Sequence, residues 1–405
     1  MSARTRVAVT GLGVRTPAGH HLKELWDTLV TGHSTARTIA SLLIDDLPVT
    51  FACKVDDPGW EEHVSVRHAH RMDRTSLLAA CAAADAITDA GGLPAQPGRR
   101  AVVTGTALAG NESREQAFLG HPRTQLTVPK AMHNAASAWL TIRHQITGPS
   151  VTVSTACAAG GHAIGEGLRL IRDGSADVVV AGGAEACISP TMLLAFHRCR
   201  ALSTRVADPE RACRPFDVGR DGFVMGEGAA FVVLERLKDV VRRGGRVYAE
   251  LAGYGRTSDA YHLTMPHPDG DGAERCMRQA LADARLTPGD VTHVNAHGTG
   301  TQLDDLAEAQ AIARVFGPHR VPVTSTKSVT GHALGASGAI EAVVSVLTLV
   351  ERTIHPTANL ETLDPRCDID VPRAPRPLEP GAVVSNSFAF GGHNASLVFT
   401  PYPNC

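Results

Sequence analysis

Short apolar runs that suit buried strands alternate with helix-like segments along the whole chain, joined by turns of small residues. The segment RVAVTGLGV from Arg6 is an apolar run that leads into a glycine turn. A helix is predicted after Arg71, with Asp73 as its N-cap and Gly91–Gly92 as its stop. Its periodic apolar positions are Leu77, Cys81, Ala84 and Ile87. This alternation predicts a layered α/β architecture with largely buried sheets.

Two pairs of segments repeat the same pattern in the same order. VTVSTACAAGGHAIG from Val151 is similar to VPVTSTKSVTGHALG from Val321, and AVVTGTALAG from Ala101 is similar to VTHVNAHGTG from Val291. The repetition indicates a duplicated half with insertions. We place the seam near Arg246, in the stretch RRGGR, which gives an N-terminal half at 1–245 and a C-terminal half at 246–405.

Composition excludes several classes of protein. The 405 residues include 39 Lys and Arg against 41 Asp and Glu, a formal net charge of −2, with 43% hydrophobic and 20% charged residues. These values argue against a disordered chain and against a strongly basic nucleic-acid binder. No run of eighteen apolar residues occurs, and the N-terminus lacks the apolar core of a signal peptide. We therefore expect a cytoplasmic protein with no membrane contact.

The cysteines and glycine motifs also limit the possible cofactors. Nine cysteines lie singly along the chain without a CxxC pair, which suits neither a disulfide framework nor a zinc site. The motifs GLGV at Gly11 and GGAEA at Gly182 lack the GxGxxG order of a dinucleotide site. We expect neither a metal nor a bound cofactor.

Cys157 is a candidate nucleophile because of its position between a strand and a helix. The strand is predicted at Val151 to Val153, and the helix begins near Ala158. Unpaired backbone N–H groups and the positive end of the dipole at a helix N-terminus favour a thiolate. The alternative is a buried structural cysteine, which is the common fate of a free thiol.

Two histidines supply the context that a catalytic cysteine needs. His297 and His332 each follow a predicted strand in a turn framed by glycines, and loops at strand ends are where α/β proteins place their sites. A cysteine with two histidines suits acyl transfer, although spacing alone does not distinguish this from a cysteine protease. Lys327 could form an ion pair, with Glu341 on the following helix, or could be a solvated strand end.

A further turn follows the strand-like segment VVSNSFAFGGHN from Val383. Phe390 precedes Gly391 and Gly392, which allow the backbone to approach a ligand closely and to offer an N–H to an oxyanion. The alternative is an ordinary hairpin with Phe388 and Phe390 in the core.

Taken together, several motifs resemble the β-ketoacyl-acyl-carrier-protein synthases, or ketosynthases, from about Arg6 to Phe399. The motifs are VSTACAAG, RPFDVGRDGFVMGEGAA, SDAYH, VNAHGTGT, STKSVTGHALGASGAIE and NSFAFGGHN, in the order of that family. The resemblance implies a thiolase fold, with duplicated halves, mixed five-stranded sheets and an αβαβα arrangement of five layers. It also implies a dimer that forms through a strand near the nucleophile.

The same resemblance assigns roles to the candidate residues. Cys157 takes an acyl chain from a carrier-protein thioester. His297 and His332 bind the malonyl thioester and stabilise the enolate formed as carbon dioxide leaves. The N–H groups of Cys157 and Phe390 resemble an oxyanion hole, and Phe390 also matches the gate residue of the family. Lys327 and Glu341 match the family's ion pair that positions the second histidine.

Pocket and partner residues are implied in the same way. Leu108 and Phe388 are expected to line the substrate pocket. The substrates are carried on the phosphopantetheine of an acidic acyl carrier protein, so no separate cofactor is implied, and Arg67, Arg71 and Arg205 are expected to dock the carrier. The dimer is either a homodimer or a heterodimer with a subunit like a chain-length factor.

Four positions depart from the usual family pattern. Ala389 and His393 replace a glycine and a threonine of the usual GFGGTN, and Gln302 and Asp304 stand where proline and glycine are common. These departures favour a discrete ketosynthase of a bacterial polyketide or polyene pathway. The alternatives are a ketosynthase of primary fatty-acid elongation, a thiolase-fold acyltransferase that does not decarboxylate, and a noncatalytic interaction subunit. Cys157 argues against the last of these.

Overall fold

The computed structural model describes residues 4–44, 46–57, 59–120 and 124–402. The strands in this part of the chain are β1 Val7–Arg15, β2 Arg37–Thr38, β3 Phe51–Ala52, β4 Arg100–Gly105, β5 Ser150–Val153, β6 Val178–Glu185, β7 Gly228–Arg236, β8 Ala249–Ser258, β9 Val291–Asn295, β10 Val323–Thr324, β11 Thr353–Ile354, β12 Arg376–Pro377, β13 Ala382–Ala389 and β14 His393–Thr400. The α-helices are α1 Leu22–Thr31, α2 Val66–Ala69, α3 Arg74–Asp89, α4 Asn111–Phe118, α5 Thr127–Ala131, α6 Ala135–His144, α7 Ala159–Arg172, α8 Pro190–Arg198, α9 Leu237–Arg242, α10 Asp271–Ala284, α11 Gln302–Phe316, α12 Lys327–Thr330 and α13 Ser337–Glu351.

Ten strands form one continuous hydrogen-bonded sheet in the order β10-β9-β13-β14-β8-β1-β7-β6-β4-β5. The first five belong to the predicted C-terminal half and the last five to the N-terminal half. The halves join where β1 pairs antiparallel with β8 at Ala8↔Glu250 and Val9↔Ala249. The expected mixed five-stranded sheets are therefore present, but their edge strands are hydrogen-bonded to each other.

The helices complete a five-layer arrangement around these two sheets. Helix α3 packs on the outer face of the N-terminal sheet, against β1, β7 and β6, and α10 packs on the outer face of the C-terminal sheet, against β8 and β14. Helices α7 and α13 lie between the sheets and contact strands of both. The order α, β, α, β, α confirms the thiolase fold expected from the sequence.

The two halves share their strand order, which accounts for the repeated strand-and-turn pattern. The motif pair from Val151 and Val321 aligns Cys157 with Lys327, however, whereas the 3₁₀ turns before α7 and α13 make Cys157 equivalent to Gly335. Strand β4 corresponds to β9, and the segment from β5 to α7 corresponds to the segment from β10 to α13. The halves also share a packing device. A Cβ at Gly11 or Gly13 of β1 would meet backbone oxygens of α3, and one at Gly253 or Gly255 of β8 would meet those of α10. Each glycine pair lets the outer helix rest directly on its sheet.

Helix α3 shows both the strength and the limit of the sequence pattern. The predicted N-cap is confirmed, because the Asp73 side chain accepts a hydrogen bond from the Thr75 N–H. Of the predicted stripe, Cys81 is fully buried, whereas Ala84 and Ile87 are only partly buried. Ala82 and Ala86 face the sheet and are fully buried, whereas Leu77 is half-buried. Because two glycines bring the strand close, small alanines rather than leucines fit that face.

One segment, Leu334–Glu351, is long and apolar enough to cross a membrane, with a mean hydropathy of 1.6 over 18 residues. It includes α13, which lies between the two sheets, and 89% of the segment is buried inside the protein. A core helix of a large α/β protein has this composition.

Candidate active site

Cys157 lies in a sharp turn between β5 and α7. A single 3₁₀ turn, Ala156–Ala158, connects the strand to the helix, and Ala156 has a φ of 48°. This left-handed conformation is unfavourable for a residue with a side chain and persists where the surrounding structure imposes it. The turn places the Cys157 side chain in the cavity described below.

The C-terminal half has the same turn without a nucleophile. The 3₁₀ turn Leu334–Ala336 precedes α13, and Leu334 has a φ of 42°. Gly335 therefore occupies the position that corresponds to Cys157. A Cβ at Gly335 would lie against the Ala107 nitrogen and 2.7 Å from Glu185 Oε2. Any larger residue at this position would therefore force the neighbouring atoms to move.

The Cys157 sulfur lies 3.0 Å from His332 Nε2. Burial raises the pKa of the Cys157 thiol to about 12, and the positive charge of Lys327 opposes this rise. The backbone N–H of Phe390 also favours the thiolate and lowers this pKa. Burial therefore outweighs the helix terminus that predicted a thiolate, and the resting group is a thiol that needs a base.

His332 is placed to be that base. Burial lowers the pKa of His332 well below its ordinary value, and nearby Lys327 lowers it further, so the ring is neutral. Its Nδ1 lies 2.9 Å from Ser337 Oγ, and Phe223 packs edge-on at 5.1 Å between ring centroids. A hydroxyl can donate or accept, so Ser337 accommodates both tautomers of the imidazole. Nε2 can therefore accept a proton from Cys157 or donate one to a substrate oxygen.

His297 lies beside His332, with ring centroids 5.4 Å apart and planes at 85°. Lys327 Nζ lies 3.3 Å from His297 Nδ1 and donates to the His297 carbonyl oxygen at 2.6 Å. An ammonium has only donors, so it requires Nδ1 to be the acceptor and leaves Nε2 as the N–H donor. Burial, with Lys327, lowers the pKa of His297 well below its ordinary value.

Lys327 and Glu341 form a fully buried ion pair. The expected ion pair is therefore present, but it contacts a different histidine from the one expected. Lys327 bonds to His297, whereas His332 is held by Ser337. Burial raises the pKa of Glu341 to about 7, and the neighbouring ammonium opposes this effect.

A second carboxylate, Glu308 of α11, fixes the His297 loop and was missed by sequence reasoning. Its oxygens accept the N–H groups of His297 at 2.9 Å and Gly298 at 2.8 Å, and Asn386 Nδ2 donates to it at 3.2 Å. An acidic residue flanked by Ala307 and Ala309 on a buried helix face was the available signal.

These groups face one cavity of about 720 Å³, including its open mouth. Cys157, His297 and His332 line it together with an apolar wall and a polar region. The apolar wall consists of Phe196, Phe223, Leu334, Phe388, Ala389 and Phe390. The polar region includes Asp259, Thr264, His267, Thr299, Thr301, Asp304 and Asn394.

The remaining predicted site residues lie in different surroundings. Phe388 lines the cavity, as expected, but Leu108 is not among its lining residues and packs in the neighbouring apolar cluster that contains Cys157. Arg67 and Arg71 are exposed. Arg205 is only half-buried and bonds within its own chain, to the Gly219 carbonyl oxygen at 2.6 Å.

No group of three or more His, Cys, Asp or Glu side chains within the described ranges could hold a metal ion. The groups that line the cavity include a thiol and two neutral imidazoles. This set can form a thioester on Cys157 and can stabilise negative charge on a carbonyl oxygen.

Comparison with known proteins identifies the family. Residues 4–240 match the family model for the β-ketoacyl synthase N-terminal domain, and residues 248–361 match that for the C-terminal domain. The chain belongs to the β-ketoacyl synthase family. As a member of this family it is an acyltransferase-type enzyme.

Curated relatives match over almost the whole chain. The 3-oxoacyl-[acyl-carrier-protein] synthase 2 of Synechocystis sp. is 42% identical, covering 98% of this chain and 99% of the relative. The protein of the same description from Staphylococcus aureus strain COL is 40% identical, covering 99% and 100%.

Solved structures with the same fold include a type II PKS ketosynthase and a ketosynthase/chain length factor. One is a type II PKS acyl-carrier protein in complex with its ketosynthase bound to the hexaketide, with a TM-score of 0.90, 31% identity and coverage of 99% and 100%. Another is the ishigamide ketosynthase/chain length factor, with a TM-score of 0.91, 34% identity and the same coverage.

Proposed function

We propose that this protein condenses an acyl chain held on Cys157 with a malonyl group carried by an acyl carrier protein. The observation that carries the proposal is the contact of the Cys157 thiol with His332, beside a second neutral imidazole. Curated relatives named as 3-oxoacyl-carrier-protein synthases support it.

In the first step, the Cys157 sulfur attacks the carbonyl carbon of the acyl thioester. The thiol proton passes to His332 Nε2 and then to the carrier sulfur, whose bond to the acyl carbon breaks. The N–H groups of Cys157 and Phe390 stabilise the oxyanion, because preorganised donors in a dry site meet the developing charge. The acyl chain is then held as a thioester on Cys157.

In the second step, the bond between the malonyl carboxylate and the adjacent carbon breaks and carbon dioxide leaves. The electron pair forms an enolate, whose oxygen accepts hydrogen bonds from His297 and His332. The enolate carbon then attacks the acyl carbon, and the bond from that carbon to the Cys157 sulfur breaks. The Cys157 thiolate takes up one proton from solvent water, which restores the thiol. Because Lys327 fixes His297 as a donor at Nε2, this histidine serves the second step rather than the first.

We assign the reaction to a bacterial polyketide or polyene pathway. The solved ketosynthases of the type II PKS and ishigamide systems support this assignment, as do the departures at Asp304, Ala389 and His393. Fatty-acid elongation is the second candidate, which the higher identity to the synthase 2 relatives favours. Acyl donors distinguish the two candidates: polyketide or polyene extension requires acceptance of chains that keep keto groups or conjugated double bonds, whereas fatty-acid elongation uses fully reduced chains.

A second chain is proposed to pair with the edge strand β5. This strand ends the sheet, and its residues Ser150 and Val151 are exposed. An exposed edge is a template for further pairing. Phe118 of α4 and Val128 of α5 are 86% and 70% exposed and add apolar surface. The second chain is another copy or a chain-length-factor-like subunit, and sedimentation of the protein alone and with such a subunit separates the two.

The first experiment incubates the protein with acyl- and malonyl-loaded carrier protein and follows intact mass beside Cys157→Ala. An acyl adduct on the wild type alone, followed by a two-carbon-extended product on the carrier, is the expected result. An adduct without extension would indicate a transacylase or a missing partner subunit. A folded protein that forms no adduct with any carrier, with or without a partner, would refute the catalytic proposal.

A further inference from the structure

Asp304 places an additional carboxyl group in the active-site cavity. It lies in the first turn of α11, three residues after the N-cap Thr301, and lines the same cavity as Cys157. Its charge is one of the influences that raise the pKa of the Cys157 thiol. Neither of the two steps described above uses this group.

The hydrogen bonds around Asp304 determine what it can offer a ligand. Thr301 Oγ1 donates to Asp304 Oδ2 at 2.9 Å, and the Asp304 N–H is directed back to Thr301 Oγ1 at 3.3 Å. Thr299 Oγ1 lies 3.1 Å from Thr301 Oγ1. Since the Thr301 proton is directed to Asp304, the Thr299 hydroxyl acts as a donor within this group, to Thr301 or to the Asp304 carboxylate. The remaining lone pairs of Thr299 and of the Asp304 carboxylate are acceptors.

This part of the cavity therefore presents acceptors and calls for a ligand with N–H or O–H donors. Across the cavity, Asp259 adds a second carboxylate that is already occupied, since Asn394 Nδ2 donates to Asp259 Oδ1 at 2.6 Å and the His267 N–H donates to Oδ2 at 3.1 Å. Asp304 accepts hydrogen bonds from the hydroxyls of Thr301 and Thr299 and lines the cavity itself. A carboxylate has about four acceptor sites, so Asp304 keeps acceptors for a bound molecule.

We propose that Asp304 is a positioning residue that accepts a hydrogen bond from an amide N–H of the substrate's pantetheine arm and so directs the thioester toward Cys157. This inference rests on the proposed function, because it takes the arm to be the part of the substrate that passes this point. Burial raises the pKa of Asp304, whereas the hydrogen bonds from Thr301 and Thr299 favour the ionised carboxylate. An ionised acceptor facing an amide donor forms a stronger hydrogen bond than a neutral one. The arm of coenzyme A has the same amides, so the proposal applies to both sources.

The test compares Asp304→Ala and Asp304→Asn with the wild type, using three acyl donors: carrier-loaded acyl, acyl-coenzyme A and an acyl thioester of mercaptoethanol, which has no amide. The measured quantity is the second-order rate of Cys157 acylation by intact mass. Asp304→Ala should lower the rate with both amide-bearing donors by about tenfold to a hundredfold, the range for a hydrogen bond to a charged group, and leave the mercaptoethanol thioester unaffected. Asp304→Asn retains an acceptor oxygen and should fall between. Leu303→Ala, an exposed neighbour on the same turn, should change neither rate.

Equal losses with all three donors would show a structural role and overturn the proposal, as would unchanged rates with the amide-bearing donors. Loss with the carrier-loaded donor alone would place the effect at the carrier surface and also overturn it. A second measurement separates this inference from the proposed function: calorimetric binding of free pantetheine to Cys157→Ala, with and without Asp304→Ala. If no donor acylates the wild type, the proposed function fails, and a pantetheine affinity that is independent of Asp304 rejects the inference as well.

Discussion

Cys157 and Gly335 occupy corresponding turns in the two halves of the fold, each after a residue with a positive φ and before a central helix. The N-terminal half thus keeps the nucleophile at a turn that the C-terminal half fills with a glycine. Both histidines come from the C-terminal half. The nucleophile and the two histidines therefore come together only where the halves meet, and all three line one cavity.

Separate roles for the two histidines are the first prediction. His297→Ala should leave acylation of Cys157 within a few-fold of wild type but abolish most decarboxylation, because His297 offers a donor to the enolate and makes no contact with the thiol. His332→Ala should slow both steps. Losses of about a hundredfold to a thousandfold are typical when one oxyanion donor is removed. Adduct mass and carbon dioxide release, measured in parallel, report the two steps, and equal acylation rates in the two variants would contradict this division.

The buried ion pair gives a prediction about stability. Lys327→Met leaves Glu341 without its partner in a dry environment and should cost about 3–5 kcal/mol of unfolding free energy. The double variant Lys327→Met, Glu341→Met removes both charges and should recover most of that loss. Urea unfolding measures both values. Activity should remain low in the double variant, because nothing then fixes the His297 tautomer, and a fully active double variant would contradict the role of Lys327.

Carrier docking predicts a charge-dependent effect. Arg67→Glu with Arg71→Glu should raise the KM for carrier-loaded substrate about tenfold at low salt and less at high salt, because exposed charges are screened. Acylation by acyl-coenzyme A should not change. The exposed Lys23→Glu on α1 serves as the control reversal. Arg74 is unsuitable, since it pairs internally with Glu227 at 2.6 Å. If neither the double arginine reversal nor the salt concentration changes the KM, the carrier docks elsewhere.

The sequence identified the groups that react but not all of those that hold them. Cys157 and His297 could be predicted because each lies in a turn of small residues after a strand, β5 and β9, and such turns bring side chains to the edge of a sheet. The predicted position of His332 directly after a strand is wrong, because the short helix α12 separates it from β10. Ser337 and Glu308 could not be predicted, because their role depends on how the chain bends after each histidine. The resemblance implied that the ion pair of Lys327 positions the second histidine, His332, but the folded chain brings Lys327 to His297 instead.

The fold was predicted in its layers and its duplication but not in its junction. Repeated motifs indicate two similar halves, yet nothing in their pattern shows that β1 and β8 are hydrogen-bonded to each other. Cavity walls were also only partly predicted. Phe196 and Phe223 line the cavity because α8 and the segment before β7 fold over it, and such contacts between distant segments leave no periodic signal.

A buried histidine provides a test of stability against pH. Burial lowers the pKa of His355 to about 4, so the folded state favours the neutral ring, while an unfolded histidine has a pKa near 6.5. The resulting stabilisation is fully present above about pH 6.5 and is lost as the pH falls toward 4. The loss reaches about 2 kcal/mol at pH 5. The difference in unfolding free energy between wild type and His355→Gln should shrink by that amount between pH 7.5 and 5. A constant difference would contradict the prediction.

The glycine at the second turn gives the last prediction. Gly335→Ala places a methyl group against the Ala107 nitrogen and Glu185 Oε2, and Glu185 accepts N–H groups from Ala107 at 2.6 Å and Gly335 at 3.2 Å. Relieving the overlap must move a buried carboxylate, so we expect a loss of about 1–3 kcal/mol in unfolding free energy, the usual cost of overpacking. Acylation of Cys157 should slow as well, because Leu334 of the same turn lines the cavity. Gly98→Ala, where a Cβ meets only Thr147 Oγ1 at 3.8 Å, is the matched control and should have no effect. If the two variants unfold at the same urea concentration, a methyl group fits at Gly335 without cost, and the prediction is wrong.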